Sequence, residues 1–186
     1  PRAFDPDREF FAPYAVRRPD GVTVQYLGGP DYRYHELDWY IIPKELGESI
    51  WSEPYYDVGG GDATMATFSV PFYRNLNGER VFAGIVTADI SLKWLQDLVG
   101  DIKIGPSGYA FIASRNGLFV AHPGNAYVMK EGVFSIAEAA GDLALRRLGQ
   151  RMLKGEHGFT PVTQLLGARK AWLYYAPLPS SQWSIG

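Results

Sequence analysis

The chain has 186 residues, with 18 basic and 20 acidic side chains and a formal net charge of −2. Because the two signs of charge are interspersed, the sequence disfavours nucleic acid as a partner and offers no polybasic run for anionic lipid. The chain has no cysteines, which excludes a disulfide framework and a thiolate metal site. The length fits one large domain or two smaller lobes.

The first hundred residues carry mostly strand and turn signals. Residues 22–26 predict a strand, and 64–73 and 80–89 predict two longer strands that the turn at Asn75–Gly78 joins into a hairpin. Apolar residues at helical spacing then predict a helix over 92–99, with Ser91 as its N-cap. We expect this helix to close a first lobe.

The remaining residues repeat the pattern after a joint at 103–107, where Gly105-Pro106 interrupts any regular element. Helical periodicity predicts two helices that cover a second sheet. The predicted helices span 134–140 and 142–153, and the predicted strands span 109–113, 118–121, 158–165, 170–176 and 183–185.

Aromatic and carboxylate residues recur among the strands of the first half, a composition suited to a small polar ligand. Two carboxylates together with phenolic hydroxyls would bind an ammonium group, and aromatic rings could add cation–π contact. Thr67 and Ser69 lie two apart on one strand and therefore share a face. The predicted ligand-binding residues are Trp39, Tyr40, Trp51, Tyr55, Asp57, Thr67, Ser69 and Asp89.

Structural roles compete with these interpretations. Asp57 could cap the turn at Gly59-Gly60-Gly61, and Asp89 could cap the helix that begins near Leu92. Trp51 could pack in the core instead of contacting a ligand. We assign Trp94, Trp172 and Trp183 to core packing. His122 is interpreted as structural, and we predict no metal site, no cofactor and no catalytic residue.

Four sequence blocks carry a resemblance to a known family. In chain order they are DWYIIP, WSEPYYDVGGGDATMATFSVPFY, GIVTADISLKWL and GYAFIASRNGLFVAHP. Over residues 4–186 the chain resembles the double Cache domain (also called PDC), the extracytoplasmic sensor of bacterial transmembrane receptors. The resemblance implies an α+β fold of two tandem PAS-like lobes, each an antiparallel sheet flanked by helices. A long N-terminal helix of the family would be mostly missing. Residues 1–102 would form a membrane-distal, ligand-binding lobe and residues 103–186 a membrane-proximal lobe.

The resemblance also implies how a ligand would bind. In amino-acid-binding members an arginine two residues before a Trp-Tyr pair holds the carboxylate, while a Tyr-x-Asp element and a later Asp hold the ammonium group. The pair corresponds to Trp39 and Tyr40, but Leu37 stands at the arginine position and cannot form a bidentate fork with a carboxylate. We therefore expect a small amine or amino-acid-like metabolite in preference to a dicarboxylate, with Arg33 as an alternative anion partner.

The predicted function is ligand sensing as the periplasmic input domain of an inner-membrane receptor of the serine phosphatase, histidine kinase or chemoreceptor type. The domain itself would not be an enzyme, and a cytoplasmic phosphatase or kinase would provide the output. Contact with the membrane would come only through flanking helices, and the resemblance allows a homodimer. Since the chain stops within a predicted strand, we expect a piece of a longer protein. Two alternatives stay open: a hydrolase that uses Asp57 and Asp89 as its paired carboxylates, and a ligand-free structural or dimerisation module.

Overall fold

The computed structural model of the chain describes residue 4, residues 7–163 and residues 170–186. The chain divides into two compact units, Pro1–Asp89 and Ile90–Gly186. Both units combine helices with antiparallel strand pairs. The predicted α+β class is therefore confirmed.

The first unit is built around one long strand. In chain order its elements are β1 Ala12–Arg18, β2 Gly21–Leu27, a 3-10 helix Tyr34–Glu36, α1 Asp38–Leu46, β3 Ile50–Trp51, β4 Tyr55–Tyr56, β5 Thr64–Leu76 and β6 Glu79–Ser91, whose last residues begin the second unit. Strands β3 and β4 each pair antiparallel with β5, and β6 also pairs with β5. Strands β1 and β2 form a separate antiparallel hairpin.

The hairpin between β5 and β6 confirms a prediction from sequence. Asn77 and Gly78 have positive φ angles of 55° and 91°, which a two-residue turn between right-handedly twisted strands requires. Helix α1 was not predicted, because Ile41, Ile42 and Pro43 are typical of strands and turns. It ends at Gly47, whose left-handed conformation with φ 69° allows its N–H to donate to the Pro43 carbonyl.

The second unit is a five-stranded sheet with helices. Its elements are α2 Leu92–Gly100, β7 Ile112–Ala113, β8 Phe119–Ala121, α3 Val133–Ala140, α4 Leu143–Leu153, β9 Gly158–Val162, β10 Ala171–Leu178 and β11 Trp183–Ile185. The strand order is β8-β7-β11-β10-β9, and the neighbouring strands pair antiparallel. The core contains Phe111, Phe119, Val133, Leu148 and Tyr175. The predicted helices and strands of this half are present, but β7 is only Ile112–Ala113 where a strand over 109–113 was predicted. Strand β9 ends at Val162, and residues 164–165 of its predicted span lie outside the described chain.

The division between the units differs from the predicted boundary at residues 102 and 103. Helix α2 was expected to close the first lobe, but it belongs to the second unit. Its Gln96 side chain hydrogen-bonds the main chain of His122 and the side chain of Asn125. Ser91, not Asp89, occupies the N-cap position of α2.

Two of the three tryptophans assigned to core packing are exposed. Trp183 is 4% exposed, as predicted, whereas Trp94 is 57% and Trp172 is 68% exposed. Trp94 lies off the buried stripe of α2, which consists of Leu92, Leu95 and Val99. Trp172 alternates along β10 with buried Leu173 and therefore points to the opposite face of the strand. The assignment of Trp94 and Trp172 to the core was wrong.

Candidate functional site

A cavity of about 720 Å³ lies within the first unit. Its walls come from the segment leading into β1, from the start of β1 and the end of β2, from the 3-10 helix and α1, and from strands β4 to β6. Six predicted ligand-binding residues line it, namely Trp39, Tyr40, Tyr55, Asp57, Thr67 and Asp89. The structure thus brings these six side chains to one cavity.

The other two predicted residues do not line this cavity. The Trp51 ring packs against Phe68, with ring centroids 5.2 Å apart. Ser69 is 1% exposed on β5, where it pairs with Ile50 of β3. Ser69 does alternate onto the same strand face as Thr67, but two residues advance a strand by about 6.6 Å. Sharing a face was therefore not sufficient to place Ser69 at the cavity.

Asp57 holds the glycine-rich turn and lines the cavity at the same time. It is 4% exposed. The Tyr32 hydroxyl donates to Asp57 Oδ1 at 2.9 Å, and the Gly61 N–H donates to Oδ2 at 2.7 Å. A Cβ atom on Gly60 would lie 2.0 Å from Oδ2, so the carboxylate occupies the space of the missing side chain. The capping role and the cavity position of Asp57 are compatible.

Asp89 ends a chain of hydrogen bonds that crosses the cavity wall. The Thr67 hydroxyl donates to Asp89 Oδ1 at 2.8 Å. Because that proton is used, Tyr55 is the donor in its 2.7 Å bond to Thr67 Oγ1. The Tyr14 hydroxyl also hydrogen-bonds Asp89. Since the Asp89 residue keeps exposed surface and lines the cavity, its carboxylate is available to a ligand.

The surroundings of Asp89 favour its neutral form. Lost hydration raises the pKa of the Asp89 carboxyl, and the charge of Asp57 adds to this effect, while hydrogen bonds from Thr67 and Tyr14 act in the opposite direction. A cation placed beside Asp89 would stabilise the ionised carboxylate and lower its pKa. The site is therefore electrostatically complementary to a positively charged group.

Three phenols complete what we call the acidic cluster, defined as Asp57, Asp89, Tyr14, Tyr32, Tyr55 and Thr67. Burial raises the pKa of Tyr14, Tyr32 and Tyr55 above the usual range, and the nearby carboxylates raise the pKa of each further. Hydrogen bonding to a carboxylate also raises the pKa of Tyr14 and Tyr32. All three hydroxyls stay protonated near neutral pH. They can donate to the carboxylates and accept from a ligand at the same time.

Aromatic rings form another part of the wall. The Tyr34 ring contacts those of Trp39 and Tyr40, with ring centroids 6.3 Å and 5.3 Å apart. Two residues that line the cavity each have a buried nitrogen with no hydrogen-bond partner in the described chain, Nε1 of Trp39 and Nδ1 of His35. Because an unpaired buried polar group is costly, these atoms are candidate contacts for a ligand.

Sequence reasoning missed most of the other lining residues, among them Tyr14, Tyr32 and Lys44. The signal for Tyr14 and Tyr32 is weak, because their partners Asp89 and Asp57 are distant in sequence. Lys44 is recognised only once α1 is known to be a helix, since it then follows Tyr40 by one turn. Arg33, the predicted alternative anion partner, is not a lining residue and pairs with Glu36 at 2.5 Å on the surface.

None of the described residues of the second unit lines this cavity. His122 is 4% exposed and accepts a hydrogen bond from the Gly124 N–H at 2.8 Å, and its ring contacts Tyr109 and Tyr127. Burial lowers the pKa of His122. Among the described residues, no group of three or more His, Asp or Glu could hold a metal ion, and no helix is long and apolar enough to cross a membrane.

A family model and a curated protein both match the sequence of this chain. Residues 1–97 match the family model described as methyl-accepting chemotaxis protein-like, first PDC sensor domain. The methyl-accepting chemotaxis protein McpA of Pseudomonas putida is 30% identical over 176 residues, which make up 92% of this chain and 24% of McpA. The chain thus spans about a quarter of the length of this curated relative.

Solved structures share the fold. The extracellular domain of mmHK1S-Z3, a predicted histidine kinase, aligns with a TM-score of 0.75 and 23% identity, over 93% of this chain and 59% of that one. The ligand-binding domain of the Pseudomonas fluorescens chemoreceptor CtaA, in complex with L-serine, aligns with a TM-score of 0.60 and 24% identity, over 94% of this chain and 70% of that one. The family match extends over more than half of the residues. The chain therefore belongs to the family of methyl-accepting chemotaxis protein-like PDC sensor domains, the extracytoplasmic ligand-binding sensors of transmembrane receptors, as the resemblance predicted.

Proposed function

We propose that this domain senses a small amine or amino-acid-like metabolite, which binds in the cavity of the first unit with its ammonium group at the acidic cluster. The observation that carries the proposal is that Asp57 and Asp89 line one cavity. Two carboxylates that share a partly desolvated space repel each other, and a cation between them removes that repulsion.

The chemistry of the cluster fits an ammonium group in particular. An ammonium group has three N–H donors, and the carboxylates and phenolic oxygens offer acceptors with lone pairs left over from the internal hydrogen bonds. Hydrogen bonds to ionised acceptors are stronger than neutral ones. Trp39 and Tyr40 line the same cavity and would add cation–π contact of about 0.5–2 kcal/mol. A simple dicarboxylate would meet two like charges instead.

Similar proteins support this class of ligand. The structures of CtaA contain L-serine or L-leucine, and that of PctB from Pseudomonas aeruginosa contains L-Gln. In this chain Leu37 replaces the arginine that the resemblance implies for the ligand carboxylate. We therefore infer from the similar proteins only how the ammonium group binds, through Tyr55, Asp57 and Asp89.

The ligand acts by shifting an equilibrium between signalling states, since it stabilises the state that it binds more tightly. In this proposal the first unit is the membrane-distal lobe and the second the membrane-proximal lobe of a receptor. The receptor has a chemoreceptor, histidine kinase or serine phosphatase output and can form a homodimer. Tight binding without turnover separates this function from a hydrolase that uses Asp57 and Asp89. Any binding separates it from a ligand-free module.

The test is calorimetry with a panel of primary amines, amino acids and dicarboxylates, on the wild type and on Asp89→Asn. We expect amine binding that Asp89→Asn weakens by about 2–5 kcal/mol, the range for removing one member of a buried charge pair. Asp20→Asn is the matched control, because it removes the same charge at an exposed turn outside the cavity. Tight dicarboxylate binding by the wild type, or equal amine affinity in the wild type and Asp89→Asn, would contradict the proposal.

A further inference from the structure

Resting on the proposed function, we propose that Lys44 binds a carboxylate of the same ligand, and that the ligand is a zwitterion whose ammonium and carboxylate groups are separated by several carbons. The chemical class is an ω-amino acid rather than an α-amino acid, a simple amine or a diamine.

The charge distribution of the cavity carries the first step. Its acidic lining residues are Glu9, Asp57 and Asp89, and Lys44 is the only lysine or arginine among the described residues that line it. Lys44 Nζ lies 3.4 Å from Glu45 Oε1, and both side chains are about half exposed or more. An exposed pair of this kind contributes little, so Lys44 remains available to an anion.

Helix geometry carries the second step. Leu37 is the N-cap of α1, and Tyr40 and Lys44 follow it at i+3 and i+7, which places all three on one side of the helix. Lys44 therefore faces the same way as the position at which the resemblance implies an arginine. It lies about 10 Å farther along the helix axis. A lysine side chain that leans toward the helix N-terminus recovers only part of this distance.

The position of Lys44 selects the spacing between the ammonium and carboxylate groups of the ligand. Tyr40, one turn before Lys44, contacts Phe82. Phe82 lies next to Ala83, at the end of the β6 lining opposite to Asp89. An α-amino acid carries both charges on one carbon, so it is too short to place its ammonium at the acidic cluster and its carboxylate at Lys44. A ligand with several methylenes between the charges can do so, and its carbon chain would lie against the aromatic wall. A second ammonium group at that end would meet Lys44 and be repelled, which disfavours a diamine.

Unpaired buried atoms add independent support for a polar group at this wall. Trp39 lines the cavity, and its Nε1, which can only donate a hydrogen bond, is buried without a partner in the described chain. A carboxylate oxygen is an acceptor and would satisfy it. An alkylamine would leave this donor unsatisfied, because its far end carries no acceptor.

The experiment uses four probes with five carbons each: pentylamine, 5-aminopentanoate, 2-aminopentanoate and 1,5-diaminopentane. Calorimetry compares the wild type with Lys44→Gln and with Lys44→Arg. Lys93→Gln serves as the control, because Lys93 is an exposed side chain on α2. We expect the wild type to bind 5-aminopentanoate about tenfold more tightly than pentylamine, the lower end for a charge-assisted hydrogen bond. Lys44→Gln should remove this advantage and improve binding of the diamine. Lys44→Arg should retain the advantage, as should Lys93→Gln.

The outcomes separate this inference from the function on which it rests. If pentylamine binds and depends on Asp89, but 5-aminopentanoate gains nothing or Lys44→Gln keeps the gain, the role of Lys44 is wrong and amine sensing stands. Tighter binding of 2-aminopentanoate than of 5-aminopentanoate also overturns it. If none of the four probes binds the wild type, both proposals fall.

Discussion

The side chain of Gln96 pairs with the main chain of His122 as a neighbouring strand would. Gln96 Oε1 accepts the His122 N–H at 2.8 Å, and Gln96 Nε2 donates to the His122 carbonyl oxygen. His122 directly follows β8, which is at one end of the five-stranded sheet. One side chain on α2 thereby satisfies a donor and an acceptor that the sheet leaves open.

Replacing Gln96 by alanine should destabilise the protein through this contact. Both His122 main-chain groups would lose their partner, and an unsatisfied part-buried group costs about 1–3 kcal/mol. Urea unfolding measures the change. The control is Gln150→Ala on α4, where an exposed side chain should change stability by no more than about 0.5 kcal/mol. Equal midpoints for the two variants would show that the Gln96 contact adds nothing.

Gly60→Ala should weaken amine binding. The new Cβ would overlap Asp57 Oδ2, so the carboxylate must leave the position in which Tyr32 and Gly61 hold it. We expect a loss of about 2 kcal/mol or more in the binding of pentylamine, measured by calorimetry. Gly100→Ala meets no atom within 4 Å and serves as the control. Unchanged affinity in Gly60→Ala would mean that the position of Asp57 does not matter for the ligand.

Two tryptophans of the second unit should respond very differently to truncation. Trp183→Ala removes a side chain that is 4% exposed and should cost about 3–5 kcal/mol. Trp172→Ala removes one that is 68% exposed and stacked on Phe159 at 5.0 Å, and should cost about 1 kcal/mol. Thermal and urea unfolding compare the two. A larger loss for Trp172→Ala would indicate that its sheet face is covered in solution.

Much of the fold could be predicted because its signals are local. The Asn77-Gly78 turn and the apolar stripes of α3 and α4 report their structure within a few residues. Asp142 even accepts the capping bonds from Ala144 and Leu145 at the start of α4. Helix α1 could not be predicted in the same way. Its Ile-Ile-Pro composition opposes a helix, and tertiary packing decides against local propensity.

The candidate site was less predictable, because its geometry depends on residues far apart in sequence. Thr67 and Asp89 could be chosen from strand alternation and the family pattern, and both reach the cavity. Tyr14 contacts Asp89 only because the segment around β1 packs beside β6, which no local pattern encodes. The ligand-binding role of every cavity residue stays a prediction that the experiments above test.

Amine binding should depend on pH. The ligand is a cation and requires ionised Asp89, whose pKa is raised above its ordinary value of 3.8 in the folded protein. Affinity for pentylamine should therefore fall as the pH is lowered through that raised value. The acidic fall should be much smaller in Asp89→Asn and unchanged in Asp20→Asn. Calorimetry at several pH values between neutral and about 4 measures it.

The stability of the ligand-free protein should change in the opposite direction. Because the folded pKa of Asp89 is raised, the folded state holds this proton more tightly than the unfolded chain does. The contribution of Asp89 to stability is therefore present below pH 3.8 and is lost as the pH rises through the raised value. At neutral pH, Asp89→Asn should melt no lower than the wild type without ligand, although it binds pentylamine more weakly. A melting temperature that falls together with the affinity would mean that Asp89 is a structural residue rather than the cation partner in the cavity.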